Sequence, residues 1–416
     1  MIGHLAVAGS LAIIVLAVAY NSGMFALSRR RTPQPDATDR TRTYVFMLAC
    51  LNEEKVIGES LARLTGLPLN DFLVLVVDDA SDDGTAKIVT AAAEAAEPGR
   101  VHLYQRSFPD ARKGKGAALN AGLDWLRESG TLDGKDPQDV IICVIDADGR
   151  LDKNAAEQVD PYFNDIGIGA VQVGVRMYNR RKGLLARLQD MEFVVYGEIF
   201  QNARRHLGSV GMGGNGQFMR LAALRSLPGR PWSDCLTEDL DLGVRLIATG
   251  WRNAYCGTAA VHQQAVLTLG RLLRQRSRWF QGHIQASRLA PLILRGIAPR
   301  PAADLLYHLS SPALLLLTSL LPISFALMIG DTAVASIRTG HSLLSPWWLP
   351  WFYVMTFGMA AAYAFVYRKR EPVSRTYSLL LGHLYVLYGY IWFVSGWWAL
   401  GRVLMGRHSW LKTART

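Results

Sequence analysis

Cysteine is scarce in this chain of 416 residues: there are four, Cys50, Cys143, Cys235 and Cys256, with no CxxC and no paired spacing. That scarcity argues against a disulfide framework and leaves buried free thiols in a reducing compartment as the expectation. Repeats of 20–50 residues and low-complexity tracts are missing, and so is the GxxxxGK[ST] spacing of a P-loop. Acidic residues are outnumbered, 34 against 45 Lys and Arg, for a net charge of +11. Such a balance first suggests nucleic acid. The basic residues, however, cluster beside apolar runs, at Arg29 to Arg31, Arg368 to Arg370 and Arg402 to Arg415. That placement follows the positive-inside rule better than a duplex-binding face, so no nucleic-acid partner is expected.

Charge is absent altogether from residues 5–27, an apolar run long enough to cross a bilayer. A secretory leader is the alternative, but here the charges follow the apolar core and no A-x-A site stands out. With Arg29 to Arg31 held inside, the domain that follows is cytoplasmic and the protein a multi-pass protein of the cell membrane, in contact with membrane lipids. Residues 28–42 form a basic linker. Residues 311–405 hold about three more apolar stretches, with Trp347, Trp348 and Trp351 suited to an interfacial belt, and 406–416 form a basic tail. The last stretch, Tyr377 to Met405, exceeds the hydrocarbon thickness, and is either tilted or broken into a re-entrant hairpin. The side on which the tail lies stays open. Residues 263–300 interleave apolar positions with Arg271, Arg274, Arg276, Arg278 and Arg288, the pattern of amphipathic helices at a membrane surface.

Between these segments, residues 43–262 repeat a strand, an acidic turn and a helix. Tyr44 to Leu51 is a continuous apolar run ended by Asn52-Glu53-Glu54. Phe72 to Val77 is ended by Asp78 and Asp79, and Val140 to Ile145 by Asp146-Ala147-Asp148. Apolar runs of this kind are strands buried on both faces, so a doubly wound, Rossmann-like parallel sheet is expected, with ligands at the carboxyl ends of its strands. Asp146 and Asp148 suit a hard divalent cation completed by substrate phosphates. Asp78, Asp79, Asp82 and Asp83 have a structural alternative as helix caps. Arg112 to Asn120 places cations and pliable backbone before a helix, which suits a diphosphate. The glycine cluster Gly211 to Gly216 lets backbone approach a ligand closely, with Asn215 and Gln217 as amide partners. Thr237-Glu238-Asp239 opens another helix and, with thirty-five residues between, Gln275-Arg276-Ser277-Arg278-Trp279 follows.

Taken in order, Asp79, Asp146-x-Asp148, Thr237-Glu238-Asp239 and Gln275-x-x-Arg278-Trp279 resemble the signature of the processive family 2 glycosyltransferases. These are the membrane synthases of cellulose, chitin, hyaluronan and poly-N-acetylglucosamine. The resemblance covers Thr43 to about Gly282. It implies an α/β GT-A domain embedded in an α-helical membrane protein, and an inverting transfer from UDP-glucose or UDP-N-acetylglucosamine to a growing β-linked polysaccharide. It also implies roles. Asp239 is the general base; Glu53, Asp79, Lys115, Asp146, Asp148, Gln275 and Arg278 bind the donor; Gly214, Asn215, Glu238 and Trp279 bind the acceptor. Asp146 and Asp148 hold Mg²⁺ or Mn²⁺. The partners implied are a UDP-sugar donor, a glycan or lipid acceptor, and an export protein of unknown identity. The chain departs from the family in lacking the cysteine of the cellulose synthase acceptor motif and in its small membrane part. The alternative activity is a glycolipid synthase placing one sugar on a diacylglycerol or polyprenyl phosphate.

Overall fold

The computed structural model describes residues 2–36, 41–340 and 348–406. Part of the expected linker, Trp347 of the expected aromatic belt and the basic tail from 407 onward lie outside these. Eight strands form the sheet: β1 Thr43–Cys50, β2 Phe72–Asp78, β3 Val101–Gln105, β4 Val140–Val144, β5 Arg150–Leu151, β6 Ile168–Met177, β7 Gln217–Arg220 and β8 Arg252–Gln263. Their spatial order is β3-β2-β1-β4-β7-β6-β8-β5.

The half built from the three apolar runs is parallel, as expected: β1 pairs in parallel with both β2 and β4, and β2 with β3. The other half departs from a uniformly parallel sheet, since β7 runs antiparallel to both β4 and β6. The cause is the entry point of the chain. The glycine cluster delivers Gln217 beside Val144, at the carboxyl end of β4, so β7 can only run away from that end.

Alternation along the strands divides the core in two. Phe46, Leu48, Val74 and Val76 pack against Ile57, Leu61 and Val89 of the helices Ile57–Thr65 and Thr85–Ala95. Val45, Met47, Leu75 and Val77 pack against Ala118 and Leu119 of the helix Lys115–Glu128, and the same cluster takes in Leu242 and Leu246 of the helix Glu238–Ala248. Each fully buried Val, Leu or Phe contributes about 1.5–3 kcal/mol. The sheet is thus held by its faces, and the carboxylates at its strand ends are not required for it. All four cysteines are buried free thiols.

Among the described residues one helix, Arg375–Leu404, is long and apolar enough to cross a membrane; the apolar helix Ala12–Ser28 is shorter. Arg375–Leu404 continues through Gly389 in helical conformation. The expected span around Trp347 to Tyr367 is instead interrupted, giving Trp348–Phe357 and Ala360–Arg370. Multi-pass embedding therefore rests on the sequence pattern. The N-terminal helix Ile2–Ser28 is fastened to the rest of the protein: the Tyr20 hydroxyl donates to Asp304 Oδ1 (2.8 Å), and Met24 is buried in the cluster containing Leu188 and Tyr388.

The basic amphipathic segment also differs from expectation. Its helix, Leu269–Ala286, packs alongside Tyr390–Leu404, and Arg276 is fully buried, paired with Glu192. Three further groups complete this knot: Tyr388 Oη and Trp392 Nε1 each donate to Glu192 at 2.9 Å, and Trp279 lies with its ring centre 4.1 Å from the Arg276 guanidinium. A lone buried guanidinium would be costly, and the carboxylate and aromatic faces together make its burial tolerable.

Candidate active site

The ends of β1, β2 and β4, the glycine cluster, the start of the helix Glu238–Ala248 and the helix Leu269–Ala286 converge on one cavity of about 600 Å³. Glu53, Asp79, Lys115, Asp146, Gly214, Asn215, Glu238, Asp239, Gln275, Arg278 and Trp279 all line it. Asp148 does not. Its side chain is buried behind the lining, where Oδ2 accepts the Gln264 amide (3.0 Å).

Asp79 is nearly inaccessible and pairs with Arg106. The turn around it is held in an unusual backbone: Asn52, Ala80 and Arg112 have φ of 53°, 62° and 62°. Left-handed Ala and Arg are strained by order 1 kcal/mol, and such strain needs restraint. Arg112 supplies it, donating to the Ala80 carbonyl at 2.6 Å while pairing with Asp82. Asp83 caps the following helix, accepting the Thr85 amide at 3.0 Å. Asp83 thus takes the capping alternative foreseen for it, whereas Asp82 caps no helix and instead pairs with Arg112.

Lys115 opens its helix at the cavity, and its ammonium donates at 2.5 Å both to Asp146 Oδ1 and to the Gly214 carbonyl. Asn215 Oδ1 accepts the Asp146 amide (3.1 Å), tying the glycine cluster to the end of β4. Any side chain at residue 214 would fill the gap between the two halves of the site. A Cβ there would stand 3.3 Å from Asp239 Oδ2 and 3.4 Å from Lys115 Nζ. The opposite oxygen of Asp239, Oδ1, accepts the Leu240 amide at 2.8 Å. One oxygen is thereby fixed while the other faces Gly214 across the cavity, an arrangement suited to receiving a proton from a bound hydroxyl.

The carboxylates of Glu238 and Asp239 disfavour each other's charge. Burial and then the Asp239 carboxylate push Glu238 up to about 7, and burial also raises Asp239. Burial pulls Lys115 down, but Asp146, Glu238 and Asp239 outweigh it and the ammonium persists. Because these are raised carboxyl groups, the pair retains a proton below pH 7 and loses it above. The second-order rate of transfer should therefore rise between pH 6 and 8. Glu238→Gln should move that limb to lower pH, and a pH–rate profile with an unmoved limb would separate Glu238 from the base.

The helix Leu269–Ala286 cannot drift from this base. A Cβ on Gly282 would lie 2.7 Å from the Thr237 amide nitrogen and 2.6 Å from its Cγ2, so helix and loop are in close contact. The Leu236 amide donates to Gln285 Oε1 (2.9 Å), and Cys235 Sγ donates to the Gly282 carbonyl (3.3 Å). On the face i, i+4, i+8 of this helix stand Gln275, Trp279 and His283, all lining the cavity. Glu192, His283, His308 and Trp392 are lining residues that the motif analysis did not single out. The only sequence trace of His283 is its eight-residue spacing from Gln275.

Three or more His, Cys, Asp or Glu close enough to enclose a metal do not occur among the described residues. The chemistry of the strand end nevertheless fits a hard cation. Asp146 is an oxygen donor on the wall of a cavity with room for phosphates, Asp148 lies directly behind it, and such ions commonly take only one or two carboxylates from the protein.

Residues 41–282 match the family described as glycosyltransferase-like family 2. A β-monoglucosyldiacylglycerol synthase of Trichormus variabilis is 32% identical over 292 residues, 68% of this chain and 58% of the relative. The poly-β-1,6-N-acetyl-D-glucosamine synthase of Staphylococcus aureus is 26% identical over 252 residues, 60% of this chain and 57% of the relative. The chain thus spans somewhat over half the length of these curated relatives. In fold it is similar to a mannosyltransferase from Pyrobaculum calidifontis solved with GDP-mannose and Mn²⁺ (TM-score 0.56, 20% identity, 92% of this chain and 97% of that one). A strand-end acidic site on a sheet of this topology, matched over more than half its length, makes this chain a glycosyltransferase of family 2 with the GT-A fold.

Proposed function

We propose that the enzyme transfers a single hexose from a UDP-sugar to the hydroxyl of a membrane lipid, with inversion, at the cytoplasmic face of the membrane. The observation that carries this reading is the lining of the cavity. Beside the polar residues already named, Leu236, Phe280, Pro312, Leu315 and Trp392 border the same space. A sugar polymer has no use for such walls, whereas a lipid brings an apolar body behind its hydroxyl. The similarity to a glucosyldiacylglycerol synthase supports the same class of acceptor. The helices Ile2–Ser28 and Arg375–Leu404 are the proposed membrane spans, with Arg29 to Arg31 on the inner side.

In this reading Glu53 and Asp79 hold the nucleoside, while Lys115, Gln275 and Arg278 bind the diphosphate. Asp146 and Asp148 would hold Mg²⁺ or Mn²⁺, which when bound neutralises charge developing on the leaving group. The acceptor oxygen attacks the anomeric carbon and gives its proton to Asp239. The bond from that carbon to the β-phosphate oxygen breaks, and its electron pair departs on UDP. Gly214 and Asn215 shape the space in which the sugar sits.

Chain growth on a glycan is the second reading, favoured by the indole of Trp279 beside the base, where a pyranose could stack. Labelled UDP-glucose with detergent-purified enzyme and dioleoylglycerol decides between them. A solvent-extractable product bearing one sugar is expected, and material of increasing length would overturn the lipid reading. EDTA should lower the rate at least tenfold and Mg²⁺ or Mn²⁺ restore it; full activity in chelator would remove the metal from the proposal.

A further inference from the structure

Glu192 is a half-buried residue on the cavity wall. A free carboxylate there would be a second base, but three donors converge on it. Arg276 and Tyr388 bond to Oε2, and the Trp392 indole bonds to Oε1 at 2.9 Å. A carboxylate met by a guanidinium and two neutral donors has its charge matched, so its work is to hold its partners in place. Of the three donors, Trp392 is the one that also lines the cavity. It is half-buried, and with its N–H bonded to Glu192 the part left to face the cavity is apolar ring. Its backbone is fixed as well. One turn on, a Cβ at Gly396 would stand 2.8 Å from Phe280 Cε2, and beyond it Arg402 Nε donates to Gln281 Oε1 at 3.2 Å. The helices Arg375–Leu404 and Leu269–Ala286 are thus joined at successive turns. The Trp392 ring centre is 6.4 Å from that of Trp279, with the planes tilted by 35°, so the two indoles make one bent aromatic wall. The Arg276 guanidinium serves both, 4.1 Å from the Trp279 ring centre and 5.2 Å from that of Trp392.

We propose that Trp392, held by Glu192, is an acceptor-binding residue supplied by the membrane helix, and that its indole touches the apolar part of a lipid acceptor next to the hydroxyl that reacts. This rests on the lipid-acceptor reading and deepens it. Among the described residues Arg375–Leu404 is the one helix long and apolar enough to cross a membrane, so Trp392 stands where the cavity and the proposed span meet. Phe280, Pro312 and Leu315 add apolar surface to the same cavity. An indole offers a large, flat contact area, and one fixed in advance loses little freedom when a ligand arrives, so its contact appears as affinity. In this assignment Trp279 orients the reacting end of the acceptor and Trp392 the segment behind it. Trp392 takes no part in holding the diphosphate, so its loss falls on the acceptor. The arrangement also makes the acceptor wall depend on the membrane helix being seated, because half of that wall is carried by it.

The test uses the full chain in detergent micelles, with UDP-glucose as donor and, as acceptor, whichever of dioleoylglycerol and farnesyl phosphate the wild type glycosylates faster. Trp392→Leu is expected to raise KM for the lipid at least tenfold, while KM for UDP-glucose and the slow hydrolysis of UDP-glucose by water stay within twofold. Trp392→Phe, which keeps an aromatic ring but no N–H, should stay within about threefold of the wild-type KM for the lipid, and this rescue separates contact from helix packing. If Trp392→Leu keeps the wild-type KM for the lipid, the assignment is wrong although the lipid reading stands. Hydrolysis falling in step with transfer in the Leu variant would show a ring that only supports the fold. Equal loss in the Phe variant would show that the bond to Glu192 matters and the ring face does not. Either result overturns the contact. A wild type that glycosylates neither lipid overturns the lipid reading, and this inference with it.

Discussion

Asp239→Asn should lower glycosyl transfer by ~10² or more, the scale of losing a general base, with donor affinity changed by no more than a few-fold. The amide is nearly isosteric, so the bond from the Leu240 amide to one side-chain oxygen survives. What disappears is the basic oxygen facing Gly214. Lys115 keeps Asp146 and the Gly214 carbonyl as partners, and the diphosphate end of the cavity should be unaltered. Nucleotide binding and steady-state transfer measured on the same preparation make the comparison. Near-normal turnover would mean that another group takes the proton, and Glu238 next to it would be the first to examine. A large loss of nucleotide affinity would instead place Asp239 on the donor side.

Trp279→Ala should reduce transfer about as strongly while sparing donor hydrolysis by water. The indole could have been an anchor in the membrane interface, but its neighbours are inside the protein. It meets Phe193 in a T-shaped contact, Trp392 is beside it, and Arg276 lies at its face. Arg276 is itself fixed by Glu192, so the indole has little freedom. A floor held this firmly orients the group laid on it, and misplacement by ~1 Å can cost ~10²-fold. Hydrolysis needs no acceptor and should persist within a few-fold. Parallel loss of both reactions in a protein of lower melting temperature would show that the residue only supports the fold.

The parallel half of the sheet was legible because β1, β2 and β4 are buried on both faces and therefore read as unbroken apolar runs. β7 was not. It has four residues, and its Gln217 and Arg220 look like loop residues until they are seen buried, with Arg220 donating to the carbonyls of Ile168 (3.1 Å) and Phe163 (2.8 Å). Long-range pairing of this kind leaves no local pattern. The acidic motifs converged because each ends a strand or begins a helix at the same edge of the sheet. Asp148, one residue past the lining Ala147, turned inward instead, and spacing alone carried no sign of that. Glu192 and His308 come from helices whose composition is unremarkable. Their place in the cavity is a property of how those helices pack, which no short window of sequence encodes.

The meeting of Gly282 with Thr237 bears on how such a site can be rebuilt. The elements that carry the proton acceptor and the diphosphate clamp meet where Gly282 lies against the backbone and side chain of Thr237, with no room for a larger residue to absorb a mismatch. The intervening segment, which includes β8, runs out to the far edge of the sheet and back. It can lengthen or shorten at its turns without disturbing the join. The length of the gap between the two motifs is then a by-product of the route, and what the site requires is the shape of one junction. A chimera that imports the loop and the helix as one piece inherits a matched pair, whereas a graft of either alone brings a surface cut for a different partner.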